Sequence, residues 1–194
     1  MSLRGFATLA VCSSKGVSGE LRCRIIEHLL HDAKLKLDTR DGTSVEVLDS
    51  LGMATTIDVG LFYAALRAGA DATFTTWSEG ERNMAAWCRW SAPAWLITFL
   101  VGELPERPRK RATSTFRAMV LEQPPDAAVL RAVVDLAGSS ESFDWDSFCS
   151  DDASVALMPP TGLGLPAAEQ SRLAHLPLPT RTTRMGRSVW HEWK

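Results

Sequence analysis

The sequence predicts an α/β fold: a mostly parallel, doubly wound sheet in three layers, followed by an irregular, proline-rich C-terminal region. Three observations carry that expectation. Strand-like and helix-like segments alternate through the first half, a glycine-containing turn joins the first apolar run to a helix, and 194 residues suffice for one domain with a full hydrophobic core. Residues 1–104 read as the regular α/β core and 105–194 as a helical, proline-interrupted region, within a single domain spanning 1–194. An alternative places the segment up to Trp77 in the split βαββαβ of a ferredoxin-like α+β unit.

Each element has a local reason. Phe6 to Cys12 is an apolar run of strand length, and Leu21 to Leu30 carries apolar residues at helical spacing. Ser18 stands at the N-cap of that helix, Gly16 and Gly19 permit the tight turn before it, and Glu20 or Glu27 complements its N-terminal dipole or surface. Lys34 to Asp38 and Ser44 to Asp49 are short segments around Arg40-Asp41-Gly42. That turn favours a hairpin over two parallel strands, because a parallel connection needs about a dozen residues or more. Ser50 to Thr56 reads as a loop. Thr56 or Asp58 then caps a helix carrying Leu61, Phe62, Ala65 and Leu66, which Gly69 stops. Ala72 to Trp77 is β-rich, Ser78 is expected to cap a helix through Trp90, and Trp95 to Val101 reads as a buried strand. Beyond Gly102, helices are expected over Arg109 to Glu122 and Pro125 to Ala137, and Thr161 to Pro166 reads as a loop.

The formal net charge of −2 demands no nucleic-acid partner. Positive charge is uneven all the same. Arg107, Arg109, Lys110, Arg111 and Arg117 cluster mid-chain, and Arg181, Arg184, Arg187 and Lys194 gather at the end; both groups read as solvated surface or as contacts to an acidic partner or nucleic acid. Cys12, Cys23, Cys88 and Cys149 lie far apart with no C-x-x-C pair, which signals neither zinc nor a disulfide framework and suits a reducing cytoplasm. The N-terminus reads as the first strand rather than a leader, and Ala92 to Val101 is too short to span a bilayer. His28 and His31 would need further ligands from elsewhere to hold a metal. The acidic aromatic stretch Glu141 to Phe148 is expected to lay its rings onto its own domain. Tryptophans crowd the second half, and Trp190 and Trp193 in the tail either fold back onto the sheet or anchor a partner, with Arg109, Lys110 and Arg111 as further partner-binding candidates.

Lys15-Gly16-Val17-Ser18-Gly19-Glu20-Leu21 resembles, without a gap, the deviant phosphate loop K-G-G-x-G-K-[ST] of the ParA/MinD-like partition ATPases. Lys15, Gly16 and Gly19 agree; Val17, Glu20 and Leu21 depart. Val45-Glu46-Val47-Leu48-Asp49-Ser50 is similar to that family's strand ending in a metal-linked aspartate. The resemblance implies a shortened P-loop scaffold with Lys15, Gly16, Gly19 and Asp49 as nucleotide-binding positions for ATP or ADP with magnesium. Glu20 stands where the family has its phosphate lysine and would repel a triphosphate, and Leu21 cannot supply the magnesium hydroxyl. The expectation is therefore a degenerate ATPase scaffold with no catalytic residue and no obligatory cofactor, acting as a cytoplasmic adaptor or regulatory protein through contacts with another protein or itself. The alternatives are an active ATP-binding partition ATPase and a structural subunit of a larger viral or secretion assembly.

Overall fold

The computed structural model describes residues 5–13, 16–37, 42–49, 51–78, 83–91, 94–102, 104–122, 129–136, 144–150, 156 and 158–193. They form one antiparallel sheet, which overturns the parallel doubly wound expectation. The strands are β1 (Phe6–Cys12), β2 (Lys36–Leu37), β3 (Ser44–Leu48), β4 (Ala54–Asp58), β5 (Ala72–Trp77), β6 (Asn83–Ser91), β7 (Ala94–Phe99), β8 (Val129–Asp135), β9 (Gly162–Pro166), β10 (Arg181–Met185) and β11 (Ser188–Glu192). The helices are α1 (Gly19–Ala33), α2 (Val59–Ala68), α3 (Glu106–Leu121) and α4 (Trp145–Ser150), with a 3-10 helix over Ala167–Leu173.

Across the sheet the order is β10-β11-β9-β8-β1-β7-β6-β5-β3-β4, with β2 paired to β5. β1 runs antiparallel to both β7 and β8. β7 and β8 are therefore parallel to each other, joined by α3, with β1 inserted between them. The same device recurs where β4 and β5 flank β3 and are joined by α2. The ferredoxin-like alternative fails on this order, because it would place β1 between β3 and β5, which here pair directly, while β1 lies between β7 and β8. Among the described residues β2 and β3 do not pair with each other as the expected hairpin would require. Both pair antiparallel with β5, Lys36 opposite Trp77 and Val47 opposite Phe74, so they lie along one strand in succession.

Four segments expected as helix or loop are strands. Met84, Ala86 and Cys88 alternate with Ala85, Trp87 and Arg89, and the first three are buried under the helices; a period of two overrode the helix-favouring composition of β6. β8 sits at the centre of the sheet with Leu130, Ala132 and Val134 on one face and Val133 on the other, which suits a β-branched run buried on both sides. β9 is a strand because its two glycines make room for an indole: Trp190 lies directly opposite Gly164, and a Cβ at Gly162 or Gly164 would come within 2.6 or 2.7 Å of its ring. The segment expected as a loop before α2 carries β4, so the turn at 49–53 closes a β3–β4 hairpin.

Two cores sandwich the sheet. α1, α2 and α3 cover one face through Ile26, Leu29, Phe62, Leu66, Phe116 and Val120 over Leu9, Phe74, Ile97, Phe99 and Trp190. Edge-to-face contacts run from Phe62 through Phe74 and Phe99 to Phe116, linking α2 to α3 across the strands. On the other face Trp145, Phe148 and Cys149 of α4 pack on Ala10, Leu96, Val133 and Leu163. Trp145 and Phe148 thus serve their own domain. Under this layer Arg131, 2% exposed, holds Glu169 by two bonds of 2.8 and 2.9 Å and donates to the Cys149 carbonyl at 3.0 Å. Arg172 also donates to Glu169 at 2.8 Å and stacks over the Phe148 ring at 4.1 Å.

Two stability outcomes follow. Gly164→Ala forces a methyl against Trp190 and Val120 and is expected to cost about 1–3 kcal/mol in urea unfolding; the loss should shrink in a Trp190→Leu background, where the crowding atoms are gone. Glu169→Gln removes the charge from the carboxylate that two buried guanidinium groups share and should cost about 3 kcal/mol, measured by the same unfolding.

Candidate functional site

The phosphate-loop-like segment is built for contact between helices. Ser18 Oγ accepts from the Leu21 amide at 3.2 Å, and Gly16 takes a left-handed φ of 80° in the turn before it. A Cβ at Gly19 would lie 2.4 Å from the Arg67 carbonyl oxygen, so this glycine is what lets the start of α1 meet the end of α2. Glu20 accepts from Arg67 Nε at 2.9 Å, and Arg22 donates to the Leu66 carbonyl at 3.4 Å. The positive end of one helix dipole thereby faces the negative end of another. Lys15 lies outside the described residues. Asp49 closes the β3–β4 turn, its Oδ1 accepting from the Leu51 and Met53 amides at 2.8 Å each. Between β1 and β3 stand β7, β6 and β5, so the glycine turn and Asp49 are four strand spacings, about 19 Å, apart. The structure does not bring Gly16, Gly19 and Asp49 together.

Among the described residues no group of three or more His, Cys, Asp or Glu is placed to hold a metal. His28 and His31 both meet Asp32, at 3.3 and 2.9 Å. Burial raises the Cys23, Cys88 and Cys149 thiols above their ordinary range, Cys88 to about 11, which keeps them protonated and poorly nucleophilic near neutral pH.

A different set of residues converges at the other end of the sheet. α3 buries Ala112, Thr115, Phe116, Met119 and Val120, which leaves its basic residues along the outer side. Lys110 meets Glu106 one turn earlier at 2.5 Å and holds that carboxyl below its ordinary range. Arg117 reaches across to the C-terminal hairpin: Nη2 donates to Thr183 Oγ1 at 2.8 Å and Nε lies 3.7 Å from Glu192. Between helix and hairpin opens a cleft of about 760 Å³. Lys110, Thr113, Ser114 and Arg117 form one wall; Thr180, Arg181 and Glu192 form the other. Three cations and one carboxylate thus line the cleft, with hydroxyl groups between them, and Lys110 is also paired outside the lining with Glu106.

The tail that defines this wall is strand β11, folded back onto β9. Trp190 is 1% exposed beneath α3 and belongs to the floor. Trp193 is 9% exposed and donates from Nε1 to the Pro177 carbonyl at 2.9 Å. Of the sequence-selected residues, Lys110, Trp190 and Trp193 line the cleft; Arg109 and Arg111 lie on α3 beside it without lining it. Arg117 and Arg181, members of the two basic clusters, line it as well, whereas Thr113, Ser114 and Thr180 carry no sequence signal, since only the β10–β11 hairpin carries the second wall to the helix. A smaller cleft of about 600 Å³, at the end of β3, β5 and β6, includes Asp49, Asp71 and Arg89; there Asp71 accepts from the Trp90 amide at 2.9 Å.

Fold and site together define an antiparallel sheet protein with helices α1, α2 and α3 on one face and α4 on the other, and a cleft lined by cations between α3 and the C-terminal hairpin. No family model, curated protein or solved structure matches the chain.

His191 behind this wall supplies a pH test. It is 7% exposed, with Nδ1 3.0 Å from Thr182 Oγ1, and burial lowers its pKa below the ordinary histidine value. The native state therefore resists protonation that the unfolded chain accepts. Stability from this group is complete above the unfolded pKa near 6.5 and falls as pH drops from there through the lowered native pKa. Thermal unfolding between neutral and acid pH should show a shallower decline in His191→Gln than in the parent.

Proposed function

We propose that this chain works by protein contact, as an adaptor or regulatory protein, and that the cleft between α3 and the C-terminal hairpin receives an acidic segment of its partner. One observation carries the reading: Lys110, Arg117 and Arg181 line a single cleft in which, among the described lining residues, Glu192 is the one carboxylate, while Lys110 is also held from outside the cleft by Glu106. The walls are a packed helix and a paired strand, so little ordering is needed on binding. Threonine and serine hydroxyls supply hydrogen bonds for carboxylates that the cations attract. The formal net charge of −2 demands no nucleic-acid partner, which calls for a broader basic surface than one cleft. A nucleotide-binding role has no converging site among the described residues, given the separation of Gly19 from Asp49. No helix among them is long and apolar enough to cross a membrane.

Fluorescence anisotropy with a labelled polyglutamate peptide tests the reading. Binding should weaken with rising salt and drop by about tenfold or more in the double variant Lys110→Glu, Arg181→Glu. Equal affinity of parent and variant, or preference for a single-stranded oligonucleotide over the peptide, overturns it.

A further inference from the structure

We infer that β4 is a self-pairing edge, and that two copies of this chain join there into one continuous antiparallel sheet. β4 lies at the margin of the sheet and among the described residues pairs only with β3. All of its residues except Ile57 are exposed. The hairpin register determines which backbone groups are committed. Asp49 N donates to Met53 O at 3.0 Å and Val59 N to Thr43 O at 2.9 Å, so the hydrogen-bonded pairs of β3–β4 include Thr55 and Ile57. The intervening residues Ala54 and Thr56, and the Asp58 amide, direct their backbone groups outward.

The two edges of the sheet differ in how they resist pairing. β10 carries Arg181 and Arg184, charges that disfavour a second strand alongside. β4 reads Ala-Thr-Thr-Ile-Asp, with three β-branched residues, no proline and no cation. A two-fold axis at Thr56 makes this sequence complementary to itself. Thr56 pairs with Thr56 of the second copy, Thr55 with Ile57, and Ala54 with Asp58; the two aspartates fall at opposite ends, so no like charges meet. The Thr56 amides and carbonyls exchange two hydrogen bonds, and each Asp58 amide donates to the other copy's Ala54 carbonyl.

The exposed apolar side chains support the same axis. Leu51 is 85% exposed and Met53 66% at the start of β4, while Leu61 is 64% exposed just past its end. Antiparallel pairing brings the start of one β4 to the end of the other, which sets Leu51 and Met53 against Leu61 of the second copy at both ends. A single chain leaves these three in water. The pairing covers them with one another.

The test uses the full chain. Sedimentation velocity over a range of concentration should show a monomer–dimer equilibrium. Thr56→Pro removes only an outward amide, so it should keep the circular dichroism and melting temperature of the parent and lose the dimer. Leu61→Glu should weaken it independently. Thr56→Cys should give a covalent dimer on mild oxidation, since hydrogen-bonded pairs hold Cα atoms about 5.5 Å apart. A monomer at every concentration, a dimer unaffected by Thr56→Pro, or open-ended polymers showing head-to-tail pairing of β4 with β10 would overturn the inference.

Discussion

The antiparallel clasp of β7 and β8 on β1 governs the rest of the molecule. β1 is buried along nearly its whole length and contributes to both cores at once, Ala7, Leu9 and Val11 to one side and Phe6 and Ala10 to the other. Thr8, turned toward the second face, is accommodated because its hydroxyl lies 2.8 Å from that of Thr98. Since β1 has antiparallel neighbours, the end of the sheet to which it points is shared with strand starts. Parallel α/β sheets bind ligands in a crevice beyond the carboxyl ends of adjacent strands, and this arrangement does not create one beside β1. The turn at Gly16 and Gly19 therefore leads into a helix contact.

The same clasp decides where the cleft between α3 and the C-terminal hairpin lies. By separating β7 from β8 it stretches the α3 crossover over β1 and carries the helix toward β9 and β11. Buried Val120 meets the sheet where Gly164 leaves space, and Trp190 fills what remains. With its inner side so engaged, α3 turns its cations outward beside β10. Arg117 ties helix to hairpin through Thr183 and sets the width of the cleft between them. On the opposite face, Arg131 and Arg172 converge on Glu169 and pin the 3-10 helix to β8, which backs the hairpin from behind.

Elements governed by local chemistry were legible in the sequence. Ser18 and Asp58 cap α1 and α2, Gly69 ends α2 with a left-handed φ of 86°, and the apolar run Phe6–Cys12 is a strand. Elements governed by distant partners were not. β6 reads locally as helix because Met84, Ala85 and Ala86 favour one, and only β5 and β7 on either side make it a strand. The Gly162–Gly164 pair looks like a loop until Trp190, more than twenty residues away, lies across it. Strand direction was the largest loss, since the alternation of elements is the same whether β1 pairs with parallel or antiparallel neighbours. The basic character of α3 could be read from Arg107 to Arg117, whereas its opposing wall needed the folded hairpin. The tail tryptophans, equally suited to either role from sequence, are buried because β11 has β9 to pair with.

The insertion of β1 between β7 and β8 also sets an order of events during synthesis. Residues 6–12 emerge well before the strands that flank them, at 94–99 and 129–135, so this apolar strand waits for more than eighty residues to gain its first neighbour and more than a hundred to gain its second. The hairpins β3–β4 and β5–β6 close locally and need no such delay. Until β8 arrives, a growing chain holds β1 as an unsatisfied apolar segment, the state in which nascent proteins are most prone to wrong association. Folding of this sheet is thus a late closure around β1, and slow translation past residue 99 prolongs its period of greatest exposure.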